Sequence, residues 1–170
     1  MKWFFDNICT PSWNEQQDKG KLMKKATQER VKLFPEYKRL IEMFYGRWEE
    51  MLKKEISGTV KILEDLKRNN YRLIALTNWS AETFPIAKKK YKFLKLFEGI
   101  VVSGKIKMLK PFKEIYDFTL EKYNLDPKEC VFIDDRLDNI QGAVRCGING
   151  IHFESPEKLI NELKKIKIEI

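Results

Sequence analysis

Cysteine is scarce in this sequence, and none of it stands in a metal-binding pattern. The 170 residues include three cysteines, Cys9, Cys130 and Cys146, with no C-x-x-C pair among them. Few cysteines in an odd number are typical of a reducing compartment and argue against a disulfide framework. We therefore expect three small core side chains in a cytoplasmic protein.

Long apolar stretches are also missing. No run approaches the roughly 18 apolar residues of a membrane span, and the run before Asp6 is too short for the core of a signal peptide. We expect neither a membrane span nor a secretory leader.

The signatures of several functional classes are absent as well. The chain has no G-x-S-x-G elbow and no phosphate-binding loop of the Walker type. His152, the only histidine, lies in the apolar stretch IHF, which favours a structural role over that of a general base. The formal net charge of +8 comes mostly from dispersed lysines, without an arginine-rich block or zinc-finger spacing. Nucleic-acid binding is therefore not expected.

The N-terminal third of the sequence has a helical pattern. With 43% hydrophobic residues, the chain is long enough for one domain with a core and a small appended layer. Apolar residues such as Leu33, Tyr37, Leu40 and Phe44 recur at intervals of three and four. This pattern predicts an aromatic-rich helical segment over residues 1–55.

The sequence after Gly58 predicts alternating helices and strands. Short strands of continuous apolar character, separated by helices of about 10 to 15 residues, indicate βαβ units and a parallel sheet buried on both faces. We therefore predict an α/β core over residues 56–170, with Ser80 as the N-cap of its second helix. The predicted strands cover residues 72–76, 99–103, 131–134 and 148–153, and the predicted helices cover 59–68, 137–145 and the stretches beginning near 81, 111 and 156.

Polar side chains follow two of these strands directly. Thr77 and Asn78 follow the first strand, Asp134 and Asp135 follow the third, and Lys110 precedes a predicted helix. Ligands of such sheets bind at the carboxyl ends of the strands. A hydroxyl and free amides can hold phosphoryl oxygens, a lysine can offset developing negative charge, and adjacent carboxylates suit Mg²⁺. Each feature alone has a plainer interpretation as a turn, a surface lysine or a helix cap; their order together predicts a phosphoryl site.

Three ordered stretches resemble a known family. "ALTNWSAETFPIA", "GIVVSGKIKMLKPF" and "CVFIDDRLDNIQGAVRCGINGIHF" resemble the second, third and fourth motifs of the haloacid dehalogenase-like hydrolase superfamily, and the N-terminal helical segment resembles the small cap of its dehalogenase branch. The resemblance implies a Rossmann-like three-layer core, Mg²⁺, and hydrolysis of a small phosphate ester or halo-acid through an aspartyl intermediate. It places Thr77 and Asn78 on the substrate-phosphate motif, Lys110 on the catalytic lysine motif, and Asp134 and Asp135 on the metal motif.

The loop around the lysine motif departs from the family pattern. Lys105 and Lys107 stand where relatives commonly carry a glutamate and small residues, and Phe112 and Lys113 stand where relatives often carry Asp-Pro. Both departures make the loop more basic than in its relatives.

The family's first motif, an apolar strand that ends in the nucleophilic aspartate, is not found. Asp6 follows the run WFF and precedes Thr10 by four residues, so it imitates this motif, with Ile8 where a second acid would stand. The run is short for a strand, and the same residues match the helical cap better, so we expect Asp6 at a helix terminus. The prediction is a truncated hydrolase polypeptide that is inactive alone.

The missing strand has a structural consequence. In the family it lies between the strands that carry the second and fourth motifs. Three arrangements are open: the strands predicted at 72–76 and 131–134 pair directly, the WFF segment fills the gap, or a separate chain donates the strand.

Three functional hypotheses follow. The first is a hydrolase completed by an upstream segment or a partner chain. The second is a non-catalytic remnant that binds Mg²⁺ and phosphate. The third is a phosphoryl-receiver domain, which the order of the residues disfavours because a receiver's acid pair precedes its threonine and lysine.

Overall fold

The computed structural model describes residues 2–170, which divide into two compact units. The first unit takes in the chain up to Lys54 together with Thr77–Tyr91 and Val102–Lys107. The second unit consists of Glu55–Leu76, Lys92–Val101 and Met108–Ile170. Among residues 2–170, every helix is too short or too polar to serve as a membrane span.

Helices and short 3-10 turns make up the first unit. Its core contains Phe4, Ile8, Trp13 and Ile41, and the rings of Trp13 and Phe44 pack edge to face with centroids 5.4 Å apart. Of the apolar stripe predicted from the 3.6-residue period, Tyr37 and Phe44 pack against this core, whereas Leu33 and Leu40 are exposed. Its helices before residue 55 are α1 (Lys2–Asn7), α2 (Pro11–Asp18), α3 (Met23–Leu33) and α4 (Lys38–Gly46).

Local signals in the sequence set the ends of these helices. Thr10 caps α2, because its Oγ1 accepts a hydrogen bond from the Trp13 N–H at 3.1 Å, and Pro11 occupies the first helical position. Pro35 disfavours helical geometry for Phe34, and α3 ends one residue earlier.

The second unit holds most of the strands and the helices that cover them. Strand β3 pairs with β4 in parallel, with Val131 opposite Asn149 and Asp134 opposite His152. Strand β1 pairs with β2. Helices α6 and α7 below belong to the first unit. The remaining elements of the chain, in order, are α5 (Ser57–Arg68), β1 (Ile74–Thr77), α6 (Phe84–Lys90), β2 (Gly99–Val102), α7 (Ser103–Ile106), α8 (Lys113–Tyr123), β3 (Val131–Asp134), α9 (Leu137–Arg145), β4 (Asn149–His152) and α10 (Pro156–Lys165).

Two helical layers of the second unit pack against opposite faces of β3. Val131 and Ile133 belong to the apolar cluster built around Ile62 and Leu163 of α5 and α10. Phe132, which points to the other face, packs against Tyr116 of α8 with ring centroids 5.5 Å apart. Apolar strands between helices are the α/β architecture that the sequence predicted.

The sheet itself is split. Within residues 2–170, β1 and β2 form one two-stranded sheet and β3 and β4 form another, without a ladder between β1 and β3. Direct pairing of the two central strands is therefore not what the chain adopts. The WFF segment does not fill the gap as a strand either, because residues 2–7 form helix α1.

The element boundaries follow the apolar pattern closely in β3 and less closely elsewhere. Strand β3 covers 131–134 as predicted, whereas β1 begins two residues later than predicted, at Ile74, and continues to Thr77. The prediction of Ser80 as an N-cap is wrong. Helix α6 begins at Phe84 with Thr83 at the N-cap, and Ser80 instead accepts a hydrogen bond from the Glu82 N–H at 3.1 Å within the preceding turn.

Candidate functional site

Lys110 and Asp134 form a buried ion pair at the carboxyl end of β3. The Lys110 ammonium donates to Asp134 Oδ2 at 2.6 Å and to the Leu76 carbonyl at 2.9 Å. The two side chains are only 9% and 8% exposed. Because Leu76 and Asp134 lie at the carboxyl ends of β1 and β3, one ammonium bridges both strand ends. The structure thus brings together the lysine and the first acid that the sequence predicted to meet.

The other oxygen of Asp134 is held by the turn that follows β3. Oδ1 accepts hydrogen bonds from the Arg136 N–H and from Asn139 Nδ2, both at 2.9 Å. Burial disfavours the charged carboxylate, but the ion pair with Lys110 and these hydrogen bonds outweigh burial and keep the pKa of Asp134 below its usual range. Asp134 is therefore a fixed anion at neutral pH.

Asn139 and Tyr116 support this carboxylate and were not predicted from the sequence. The Tyr116 hydroxyl donates to the Asn139 carbonyl at 2.7 Å, and burial raises the pKa of Tyr116, which keeps the phenol neutral as a donor. A Cβ on Gly142 would lie 2.6 Å from the Pro111 carbonyl oxygen, so α9 approaches this region closely only because that position is glycine. An asparagine in the first helical turn after the acid pair could have signalled Asn139. Nothing in the apolar stripe of α8 distinguishes Tyr116 from an ordinary core residue.

Asp135, the second predicted metal ligand, is exposed beside the buried Asp134. Its carbonyl accepts a hydrogen bond from His152 Nε2 at 2.9 Å, which agrees with the structural role expected for the histidine. Among residues 2–170, no three side chains of His, Cys, Asp or Glu come together as a metal cluster. Mg²⁺ takes only one or two protein carboxylates and keeps several waters, so the adjacent acids fit one side of a magnesium site.

Thr77 and Asn78 lie in the first unit, whereas Lys110, Asp134 and Asp135 lie in the second. Thr77 is the last residue of β1, Asn78 follows it, and both are half-buried. The hydroxyl therefore belongs to the last residue of the strand, one residue inside the predicted position, and the amide side chain follows the strand directly.

The loop after Asn78 is anchored within the first unit. The Trp79 N–H donates to Ser103 Oγ at 2.9 Å, and the Gly104 N–H donates to the Trp79 carbonyl at 3.0 Å. A Cβ on Gly104 would lie 2.5 Å from the Ala81 nitrogen, so the approach of α7 to this loop requires glycine. These contacts hold the backbone that carries the predicted phosphate ligands.

Asp6 lies outside any strand-end geometry. It is an exposed residue of α1, and the residues before it are helical. The strand that would make Asp6 resemble a nucleophile motif is therefore not formed. Among the described residues, Asp134 is the one acid that ends a strand.

A small polar pocket in the first unit borders Asn78. It has a volume of about 170 Å³, and its lining includes Asn14, Asp18, Trp48 and Asn78. Burial and the neighbouring Glu15 carboxylate raise the pKa of Asp18 to about 6, although a hydrogen bond from the backbone N–H of Ser80 opposes the shift. Asp18 therefore changes charge near pH 6.

Comparison with known proteins identifies the family. The model of the haloacid dehalogenase-like hydrolase family matches residues 7–153, and the chain belongs to this family. It is 29% identical over 105 residues to a sesquiterpene phosphatase of Aspergillus oryzae (62% of this chain, 54% of the relative). It is 27% identical over 103 residues to (S)-2-haloacid dehalogenase 4A of Burkholderia cepacia (59% of this chain, 45% of the relative). The chain spans about half the length of these curated relatives.

A solved structure with the same fold comes from Bacteroides thetaiotaomicron. This enzyme of the same family, an alanine variant in complex with magnesium and inorganic phosphate, superimposes with a TM-score of 0.70 at 24% identity, over 90% of this chain and 82% of the other. The likeness confirms the predicted Rossmann-like α/β fold, which the neighbouring structures combine with a helical cap.

Proposed function

We propose that this chain carries the lysine and metal side of a Mg²⁺-dependent hydrolase of small phosphate esters, and that hydrolysis needs a nucleophilic aspartate that residues 2–170 do not place at a strand end. The observation that carries the proposal is the buried Lys110–Asp134 pair beside the exposed Asp135, at strand ends linked by the Lys110 ammonium. Membership of the family supports the reaction class, and the relatives include both phosphatases and dehalogenases.

Each residue of the proposed site has its own task. Mg²⁺ would be held by Asp134 and Asp135. The ion would offset the negative charge of a phosphoryl group. Lys110 keeps Asp134 ionised and offers its ammonium to the same developing charge. Thr77 and the backbone of Asn78 bind non-bridging phosphoryl oxygens at the end of β1. We favour phosphate esters over halo-acids as substrates. A threonine hydroxyl and a lysine suit the oxygens of a phosphoryl dianion, and the acid pair suits the magnesium ion that accompanies it.

The proposed division of labour follows the sequence analysis. Residues 1–55 act as a helical cap that selects the organic part of the substrate, and residues 56–170 act as the hydrolase core. A separate chain is one candidate source of the missing strand. The polar pocket that contains Asp18 supports the cap assignment, because it borders Asn78 in the first unit.

A non-catalytic remnant that binds Mg²⁺ and phosphate is the second candidate. The observation in its favour is that no acid other than Asp134 ends a strand among residues 2–170. The completed polypeptide separates the two candidates, because restoring a nucleophile gives turnover only if the remaining site is intact.

The test compares the 170-residue chain with the same chain extended at its N-terminus by an apolar strand that ends in Asp-x-Asp. Mg²⁺-dependent release of phosphate from an aryl phosphate is measured for both. We expect turnover from the extended chain, its loss in the extended chain with Asp135→Asn, and its retention with Asp138→Asn, since Asp138 pairs with Arg136 at the surface. An extended chain without turnover supports the remnant.

A further inference from the structure

The polar pocket that borders Asn78 is built from three segments of the first unit. Helix α2 contributes Asn14 and Asp18, which are four residues apart and therefore lie on one face of the helix. The 3-10 turn after α4 contributes Trp48, and the loop after β1 contributes Trp79. Because its volume is about 170 Å³, the pocket suits a group of a few heavy atoms.

Asp18 gives this pocket a negative charge. Of the described residues that line the pocket, Asp18 alone is charged, and among residues 2–170 it takes part in no ion pair. A partly buried carboxylate without a cationic partner is costly, and burial accordingly raises the pKa of Asp18 to about 6. A cation in the pocket would offset this cost.

The aromatic side chains of the pocket wall use their polar atoms within the protein. The Tyr45 hydroxyl shares its proton between Asn14 Oδ1, at 3.0 Å, and Gln17 Oε1. The Trp79 indole N–H donates to Thr83 Oγ1 at 3.1 Å. These two rings therefore offer a ligand their carbon surface and no hydrogen-bond donor.

Two tryptophans form adjoining walls of the pocket. The rings of Trp48 and Trp79 are inclined at 68°, with centroids 5.6 Å apart, and both line the pocket. The electron-rich face of an aromatic ring attracts a cation, and tryptophan does so most strongly. Aromatic walls beside a carboxylate thus match an alkylammonium group. An anion would be repelled by Asp18, and an uncharged group would leave its carboxylate without a partner.

The neighbouring phosphate ligands define the rest of the molecule that would bind. Asn78 lines the pocket and Thr77 precedes it, so the residues proposed to bind phosphoryl oxygens adjoin the pocket within the first unit. A substrate that reaches both must carry its cation only a short distance from its phosphate.

We propose that this pocket binds a small alkylammonium group, and that the substrate is the phosphate monoester of a short amino alcohol. The ammonium site depends on the pocket alone, whereas the ester rests on the proposed function.

The test uses the whole 170-residue chain at pH 7.5, where Asp18 is ionised, and choline as the probe. The matched ligand is the neutral carbon analogue of choline, in which a tert-butyl group replaces trimethylammonium. NMR of the indole N–H groups reports on single tryptophans. We expect choline to shift the resonances of Trp48 and Trp79 in a saturable way and to leave that of the exposed Trp3 unchanged. The neutral analogue should bind at least about tenfold more weakly.

Two variants of α2 separate contact with the carboxylate from the general field of the protein. Asp18→Asn keeps the shape of the side chain and should weaken choline binding at least about tenfold. This variant should fold, because it removes a partly buried charge that has no ionic partner. Glu15→Gln removes an exposed acid of the same helix and should change the affinity by less than about threefold at physiological salt.

Several results would overturn the ammonium site. These are equal affinity for choline and its neutral analogue, unchanged affinity in Asp18→Asn, an equal loss in Glu15→Gln, and shifts confined to other tryptophans. Tighter binding of glycerol than of choline would also overturn it, because the pocket would then be a site for hydroxyl groups.

Binding and turnover distinguish this proposal from the proposed function. Choline binding needs neither Mg²⁺ nor catalysis, whereas phosphate release from an aryl phosphate by the extended chain needs both. Turnover without choline binding would leave the proposed function in place and overturn the ammonium site, and choline binding without turnover would do the reverse. When both are observed, choline phosphate should have a lower KM than the phosphate of the neutral analogue. Equal KM values would overturn the substrate assignment.

Discussion

At the scale of single residues, the site depends on one buried cation. Lys110 and Asp134 lie in a region from which water is largely excluded, so each charge is tolerated only because the other is present. The turn after β3 adds two hydrogen bonds to the same carboxylate, from the Arg136 N–H and Asn139 Nδ2. This arrangement fixes the orientation of Asp134 and leaves the neighbouring Asp135 exposed.

Replacing this cation gives the first prediction. Lys110→Met should lower the free energy of unfolding at pH 7 by about 3 kcal/mol or more, because it leaves a buried carboxylate without its partner. Urea unfolding measures the loss. Lys113→Met is the matched control, because the exposed pair of Lys113 with Asp117 is worth less than about 1 kcal/mol.

The sign of the pH dependence checks the cause. In the native chain the pKa of Asp134 is lowered, so its stabilising contribution is complete above the usual aspartate pKa of about 3.9 and is lost as the pH falls through the lower folded value. In Lys110→Met, burial dominates and raises the pKa of Asp134, so protonation relieves the variant. The deficit should therefore shrink between pH 7 and pH 4. A deficit that is constant over this range would mean that packing, and not charge, is lost.

Asp18 gives the opposite pH dependence. Burial and the Glu15 carboxylate raise the pKa of Asp18 to about 6. Below the unfolded pKa, Asp18 is protonated in both states and does not destabilise the fold. Above about pH 6 the folded chain must hold an ionised, buried carboxylate, which lowers its stability. Asp18→Asn should raise the melting temperature at pH 7.5 and change it little at pH 4. The exposed Asp6→Asn variant controls for the loss of one acid, and an equal effect of Asp18→Asn at both pH values would refute the assignment.

At the scale of elements, the apolar pattern predicts most of the fold but not every end. Strand β3, with the sequence VFID, ends at the first of the two acids. Apolar side chains lie between the helical layers, whereas charged side chains lie at the edge of the sheet. The RLIAL strand begins later than predicted, since Arg72 lies exposed in an ion pair with Glu98 at 2.7 Å. The N-cap of α6 was predicted wrongly because the Ser80 hydroxyl accepts a hydrogen bond from Glu82 within a turn. Serine is common both in such turns and at helix N-caps.

The close approach of α7 to the loop at 79–81 supplies a prediction at this scale. Gly104→Ala should destabilise the chain by about 1–3 kcal/mol, since its Cβ would lie 2.5 Å from a backbone nitrogen that cannot yield easily. Gly46→Ala is the matched control because nothing lies within 4 Å of its Cβ position. Thermal unfolding of both variants is the measurement, and equal melting temperatures would contradict the close packing.

At the scale of the whole molecule, the sequence predicted the family, the α/β class and the gap in the sheet. It did not predict which arrangement the gap would adopt, because direct pairing, filling by the WFF segment and donation from another chain depend on tertiary geometry. The structure excludes the first two, since β1 and β3 remain in separate sheets and residues 2–7 are helical. Tyr116 was likewise invisible in the sequence, because its role arises only when α8 and α9 pack together.

The gap between the two-stranded sheets β1–β2 and β3–β4 leaves the fold short of stabilising contacts, and this gives the last prediction. Strands β1 and β3 are half-buried along their whole length, although their sequences are those of buried parallel strands. A ligand that binds only the folded chain stabilises it by mass action, by about 2.7 kcal/mol at one hundred times its Kd. A capped peptide of the sequence Lys-Lys-Val-Ile-Val-Ile-Asp should therefore raise the urea midpoint in proportion to the logarithm of its concentration. The same peptide with proline in place of its second valine lacks a backbone donor and should leave the midpoint unchanged. A midpoint that neither peptide changes would mean that the folded chain does not bind a strand between β1 and β3.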